Sequence, residues 1–434
     1  MTAESPGAAP LSHRPLVDLD PDAIRRSHLH FRAMREASPV YAIPELGVVA
    51  VTRYDDILKV LRNPELFSSE MPTGPQAGAS MTSALAAAIN DQPELTTMLE
   101  KAARVTGGRV LVTADPPNHT RQRGLVSKAF TPRRVAAMET HIRGIADGLV
   151  DEFISTGQVE LVRQFAVPLP LIVIAEALGV ARGDLPTFKR WSDDFVAALG
   201  NPKLATTALV DMIRSQNEFA DYFSSKIEER RTDPQDDLIT DVVQSRVDGE
   251  ALTDSEMLGM FSQFLVAGNE TTTKLIASAM MLLLDQPELL SDARQETHLL
   301  SGIIEEALRL EAPVQCIFRK AVADTEVAGV RVPAGSHIML AYASANRDPE
   351  VFAEPDRLDP QRDNLKAHLA FGQGAHFCLG ASLARAEARI GLETLITRLQ
   401  ELRLAPDNTF EYEPSYLHHG LKELHLEFHP DPIT

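Results

Sequence analysis

The sequence predicts one mainly α-helical fold carrying small β-sheets. Three observations lead there. Helical spacing runs from His119 to Arg231, broken by Pro168, Pro170, Gly179, Pro186 and Pro202. The longest pattern opens on Thr253 and Glu256 in capping-box spacing and continues to about Asp285, roughly 45 to 50 Å of helix at 1.5 Å per residue. No internal repeat or Ser/Gly linker divides the 434 residues, so a single domain over 15–434 is expected behind a disordered N-terminus over 1–14.

Composition narrows the class. Hydrophobic residues make up 44% and charged residues 24% of the chain, an ordinary globular balance. Sixty-one acidic against 42 basic side chains leave a formal charge of -19, which argues against an electrostatic grip on nucleic acid. No apolar run approaches the ~20 residues needed to cross a bilayer. The most apolar stretch, Ala277 to Leu284, is flanked by Lys274 and Asp285. A cytoplasmic protein without a membrane anchor is therefore expected. The two cysteines, Cys316 and Cys378, are too few for a disulfide framework or a four-cysteine zinc site.

In chain order, Val40 to Arg53 alternates around Gly47 as a hairpin, and Tyr54 to Asn63 follows with helical spacing at Ile57, Leu58 and Leu61. Residues 71–114 form a long, weakly patterned insertion of the kind that serves as a lid or a linker, with helix expected between Ser83 and Ala103. After the helical half come strand-like segments at Phe318 to Glu326, Val330 to Val332 and His337 to Ala345, with Ala334-Gly335 as a turn. A meander from Arg347 to Leu369, a Gly-rich loop, a helix from Ala381 to about Leu399 and a last β-like segment at Leu421 to Phe428 complete the chain.

The loop Phe371-Gly372-Gln373-Gly374-Ala375-His376-Phe377-Cys378-Leu379-Gly380 sets a thiol among glycines immediately before a helix. Amides at a helix start favour an anion and lower a cysteine pKa, and glycines let backbone approach a flat ligand. A buried cysteine in a glycine turn is the plain alternative for a shorter pattern. A dinucleotide loop fails on spacing, because the third glycine of Gly-x-Gly-x-x-Gly would fall on Phe377.

The long Phe-Gly-x-Gly-x-His-x-Cys-x-Gly pattern resembles the haem-ligand loop of the cytochrome P450 family. That resemblance implies a P450 fold, with haem b buried between a long central helix and the helix after the cysteine loop, and Cys378 as the axial metal ligand. Phe371, Gly372, His376 and Gly380 would contact the cofactor.

Other motifs agree in order. Ala267-Gly268-Asn269-Glu270-Thr271-Thr272 interrupts an apolar helical stretch with a glycine that costs about 1 kcal/mol and with polar groups. A solvent-facing Glu270 and back-bonded threonines would be the ordinary explanation. The resemblance instead implies a distal oxygen-binding groove, with Ala267 and Gly268 leaving room, Thr271 as hydroxyl donor and Glu270 in the proton relay. His119, Arg123, Arg319 and His376 match the positions that hold the haem propionates. Glu306 and Arg309, one helical turn apart, resemble the family's structural pair, completed by Arg362 in preference to Arg357.

For the substrate, the resemblance places the 71–112 region over the distal face, with Phe264, Leu265, Val314, Cys316, Ile317 and Leu417 lining an apolar pocket. His418 and His419 would add polar contacts or stand exposed. A terpenoid, steroid, fatty or aromatic molecule fits such a wall. With no flavin or iron-sulfur segment in the chain, electrons would come from a separate ferredoxin and its reductase, docking on Arg121, Lys128, Arg133, Arg134, Arg385 and Arg389. The implied activity is a monooxygenase using O2. The alternatives are a non-catalytic haem-thiolate sensor or carrier, against which the Glu270-Thr271 pair argues, and a peroxide-using enzyme.

Overall fold

The computed structural model describes residues 11–74, 86, 89, 95–106, 108–197, 199–201, 204–247 and 249–430. At its centre is the helix Asp254–Leu284, capped by a reciprocal box in which Thr253 accepts from the Glu256 amide and Glu256 from the Thr253 amide. This helix threads two apolar cores. Its first half packs through Phe261, Phe264 and Leu265 with the helices Leu185–Val196 and Thr206–Thr232. Its second half, from Leu275 to Leu283, packs with the helices Pro132–Asp151, Pro168–Ala177, Leu300–Leu310 and Ala381–Arg398.

A five-stranded sheet flanks the bundle. β1 (Val40–Ile43) and β2 (Val48–Val51) form the expected hairpin, turning at Gly47 with φ 64°. β3 (Phe67–Ser68), β5 (Ile317–Ala321) and β8 (His337–Leu340) complete it in the order β1-β2-β8-β5-β3, with β2 and β8 parallel. A separate hairpin joins β6 (Thr325–Val327) to β7 (Val330–Val332). β4 (Gln158–Glu160), β9 (Gln400–Leu404) and β10 (His425–His429) make a third sheet, order β4-β10-β9.

Several expectations need correction. The strand expected over His337 to Ala345 stops at Leu340, and Tyr342–Ala345 is a helical turn. The last strand begins at His425, not Leu421. β4, β9 and the helix Ser27–Ala37 were not anticipated; β4, at three residues, carries too few side chains to show a period. In the long insertion the helix Leu95–Thr106 is present, while the expected start at Ser83 lies outside the described residues. Order also reaches back beyond residue 15. A short helix begins at Arg14, and His13 bonds to Tyr41 (3.1 Å) and Glu45 (2.8 Å); residues 1–10 lie outside the described residues.

Candidate active site

The glycine loop turns through Gly372 and Gly374, at φ 66° and 73°. A Cβ on Gly374 would stand 2.7 Å from the Leu61 carbonyl oxygen, so that glycine lets two backbones cross. The Phe371 carbonyl accepts the Cys378 N–H at 2.9 Å and closes the loop. Cys378 is half-buried and stands just before the helix Ala381–Arg398. Its thiol does not have the depressed pKa anticipated for a helix start. Burial pushes it up, against the Gly380 and Ala381 amides and the Arg123 and Arg385 cations, since desolvating the anion outweighs those dipoles and charges. A thiolate here needs a bound metal ion to hold it ionised.

Beside the loop lies a cluster of cations. The His119 and His376 rings stand 4.1 Å apart, and burial, followed by Arg319 and then His119 and Arg123, drives His376 down to about 3. Arg319 is 4% exposed, yet its one hydrogen bond goes to the Phe318 carbonyl at 2.8 Å, and among the described residues neither it nor Arg123 is in an ion pair with a carboxylate. Nearby Asp115 is already engaged by the Ser68 hydroxyl and the Ser69 amide. The Ser69 hydroxyl lies 3.0 Å from His376 Nε2. Buried cations without an anion are costly, so this cluster is built for an anionic ligand.

The central helix supplies the opposite wall. In its otherwise buried middle, Ala267 is exposed and Thr271 partly so, one turn apart on one face. Phe264 shares that face. Leu265, two residues or about 200° from Ala267 at 100° per residue, is fully buried in the bundle core and faces away from the groove. Gly268 does not open the groove either: its Cβ would stand 3.3 Å from Ile174, so it permits close packing against the helix Pro168–Ala177. The Thr271 hydroxyl donates to the Ala267 carbonyl at 2.8 Å, which leaves its oxygen free to accept. Glu270 pairs with Lys274 one turn on, both largely buried. Burial would raise its carboxyl, but Lys274, then His418 and Lys189, hold it below the usual carboxylate range.

On the strand side, alternation sorts the remaining candidates. Ile317 lies on one face of β5 with Arg319, whereas Cys316 points with Phe318 into the N-terminal core, where its thiol bonds to the Tyr416 carbonyl (3.7 Å). Cys316 therefore does not line the groove as expected. Leu417 is buried in the same N-terminal core. Val314 pairs through backbone with His418, and both Val314 and Ile317 keep accessible surface.

The pair behind the loop is fully buried. Arg309 reaches Glu306 through Nε to Oε1 (2.6 Å) and Nη2 to Oε2 (2.8 Å), and Arg362 Nε lies 3.3 Å from Glu306 Oε1. Arg357 turns outward to Glu354.

Comparison with known proteins decides what this arrangement belongs to. Residues 202–416 match the family model for cytochrome P450. The chain is 37% identical to cytochrome P450 109 of Bacillus spizizenii over 90% of its own length and 89% of that protein's. The chain belongs to the cytochrome P450 family. The P450 is also 36% identical to the steroid C26-monooxygenase of Mycobacterium tuberculosis strain H37Rv, covering 94% of this chain and 96% of the relative. CYP109E1 from Bacillus megaterium, in a crystal structure with testosterone, superposes with a TM-score of 0.81 at 34% identity, over 94% of this chain and 99% of that one. The fold is the P450 fold, and the activity is that of a haem-thiolate monooxygenase. The family implies haem, and the residues present fit it: a thiol at a helix start, the buried Arg319 and half-buried Arg123 beside it with no carboxylate partner among the described residues, and a helix face open at Ala267 and Thr271.

Three groups of this P450 escaped the sequence. Lys274 read as the flank of an apolar run, yet its amine turns back to Glu270. Asn269 is buried and bonds to Ser192 (3.1 Å). Glu387, on the helix after the cysteine loop, is 2% exposed, and burial, opposed by a hydrogen bond from Thr272, pushes its carboxyl up to about 8. The folded state then holds a proton that the unfolded chain has lost, so stability is full below the ordinary carboxylate pKa and falls as pH rises to about 8. Glu387→Gln, neutral throughout, should flatten this loss by about 1.4 kcal/mol per pH unit. Urea titrations at pH 5 and 8 measure it; an unchanged wild-type-to-variant difference would mean that Glu387 is ionised in the fold.

The expected basic docking face is thinner than its composition promised. Arg121 pairs with Glu256, Arg134 with Asp241, Arg385 with Glu305, and Arg389 with Glu139. Only Lys128 and Arg133 of the six stand exposed and without an ion pair among the described residues.

Proposed function

We propose that this P450 inserts one oxygen atom from O2 into a lipophilic, steroid-sized molecule, with haem b held between the Cys378 loop and the central helix in one domain. The observation that carries this reading is the unpaired cation cluster of Arg123 and Arg319 beside a cysteine at a helix start. The steroid monooxygenase and the testosterone complex among its relatives support the substrate class. Among the described residues no helix is long and apolar enough to cross a membrane, and a cytoplasmic location is part of the proposal.

Haem, when bound, supplies an iron at which O2 is reduced with two electrons and two protons, one oxygen entering the substrate and the other leaving as water. The chain's own residues prepare that site. Cys378 Sγ is the ligand, steadied by the Gly380 and Ala381 amides. Arg123 and Arg319 would neutralise the carboxylates of the cofactor, and His119 and His376, kept neutral by burial and the neighbouring guanidiniums, would offer them ring N–H hydrogen bonds. Thr271 Oγ1 accepts a hydrogen bond from the groove while donating to Ala267. Glu270 Oε2, ionised against Lys274, takes protons from the side where Lys189 and Asp193 stand and passes them towards Thr271. Phe264, Val314 and Ile317 keep the groove apolar and exclude water. Electrons arrive from a ferredoxin with its reductase, Lys128 and Arg133 offering an acidic partner two exposed cations that are in no ion pair among the described residues.

The reduced protein under carbon monoxide should show the red-shifted Soret band of a thiolate ligand, and a histidine-type spectrum would overturn the reading. With a ferredoxin system and a steroid panel, Thr271→Ala should lower the ratio of product to released peroxide about tenfold or more, and Thr271→Ser should restore it. Ligand-induced spin shifts without any product would favour a sensor.

A further inference from the structure

A second, partly buried ion pair lies behind the cysteine loop, one residue before Glu306, and no step above uses it. Glu305 receives Arg385 through Nε to Oε1 (2.6 Å) and Nη2 to Oε2 (2.9 Å). His368 Nε2 reaches Oε2 at 2.9 Å. His368 Nδ1 accepts the Ala370 N–H at 3.2 Å, so the neutral ring carries its proton on Nε2 and donates it to Glu305. The Arg385 guanidinium stands 4.5 Å from the centre of the Phe371 ring, and it is the Phe371 carbonyl that accepts the Cys378 amide. One carboxylate thus grips both ends of the segment His368 to Phe371 and anchors a cation beside the sulfur.

The pair sits at a boundary. On its outer side a cavity of about 280 Å³ opens between the helices Pro132–Asp151, Leu300–Leu310 and Ala381–Arg398, lined by Ser301, Glu305, Ser382 and Arg385. On its inner side is the loop. Arg385 is one of the cations that pull the Cys378 thiol down against burial, and Glu305 is held at about 2, burial being outweighed by Arg385 and then His368. Both members are therefore charged at neutral pH, and their fields at the sulfur are opposed in sign. Reduction adds one negative charge at the metal centre, so a net positive residue nearby favours it and a net negative one opposes it, more strongly in a low dielectric.

We propose that Glu305 and Arg385 are a charge-balancing pair that sets the reduction potential of the metal held by Cys378, with His368 positioning the carboxylate. The inference rests on Cys378 ligating haem iron.

The test is the midpoint potential of the haem-loaded protein, read by spectroelectrochemical titration with the carbon monoxide band as control. Glu305→Gln leaves Arg385 unbalanced and should favour reduction; Arg385→Met leaves Glu305 unbalanced and should oppose it. Each shift is expected to be about tenfold in the one-electron equilibrium, about 59 mV. Arg385→Lys keeps the charge and should stay near wild type. The double variant Glu305→Gln with Arg385→Met should return towards it, and as it leaves no unpaired charge it also keeps the test open if one single variant folds poorly. Shifts of the same sign in both single variants, or none, would overturn the proposal while a thiolate-type wild-type band upholds the haem ligand. A wild-type band of histidine type would overturn both.

Discussion

Cys378→Ser is expected to abolish the thiolate-type carbon monoxide band and to lower turnover by more than about 100-fold, the upper end of what losing a group behind a metal ligand costs. The substitution removes one atom type and little else. The Cys378 amide still bonds to the Phe371 carbonyl, and the turn is still made by Gly372 and Gly374. A serine hydroxyl in the same desolvated place is far harder to ionise than a thiol, so the anionic ligand is lost without disturbing the loop. The haem-free variant should melt within about 1 kcal/mol of wild type, which separates ligand loss from unfolding. The other cysteine cannot substitute: Cys316 lies on the far face of β5, in the N-terminal core. A serine variant that keeps the thiolate band would remove Cys378 from the metal.

Glu306→Gln should have the largest effect on stability, a loss of about 3 to 5 kcal/mol out of a total of about 5 to 15. Glu306 and Arg309 are both 0% exposed. The carboxylate also accepts the Asp359 amide at 2.8 Å, and Arg309 donates to the carbonyls of Asn346 (3.1 Å) and Arg357 (2.9 Å) and lies 5.3 Å from the Phe352 ring centre. Removing the acid strands Arg309 and Arg362 as buried cations and loosens the meander. Asn346 in turn holds the Leu369 amide at 2.6 Å, just ahead of the cysteine loop. Lower holoprotein yield and an earlier urea midpoint measure the effect. A midpoint within about 1 kcal/mol of wild type would mean that the pair is dispensable. Arg309→Lys should rescue little, since one ammonium cannot replace a planar fork with several donors.

Legibility followed the range of the interaction. The central helix was readable because its start is a local signal, Thr253 with Glu256, and its body a long apolar period. The cysteine loop was readable because glycines, thiol and helix start are consecutive. Strands β4, β9 and β10 were poorly readable: each is three to five residues long, and β10 finds its partners at Gln158–Glu160 and Gln400–Leu404. The face each candidate presents was also hidden. Leu265 and Cys316 are as apolar as a pocket wall requires, yet helix rotation and strand alternation turn both away from the groove. Gly268 marked a close approach, and only the packing names Ile174 as what approaches.

By itself, then, the sequence determined the α-rich class, the central helix, the cysteine at a helix start and the ordered motifs that spell the family, because each is written in neighbouring residues or in a repeating period. Tertiary structure decided the charges. It paired Glu270 with Lys274, set Glu305 between Arg385 and His368, left Arg319 without a carboxylate among the described residues, and spent most of the presumed docking cations on ion pairs. A carboxylate and a cation attract at a few ångströms whatever their separation along the chain, so their pairing exists only once the chain has folded.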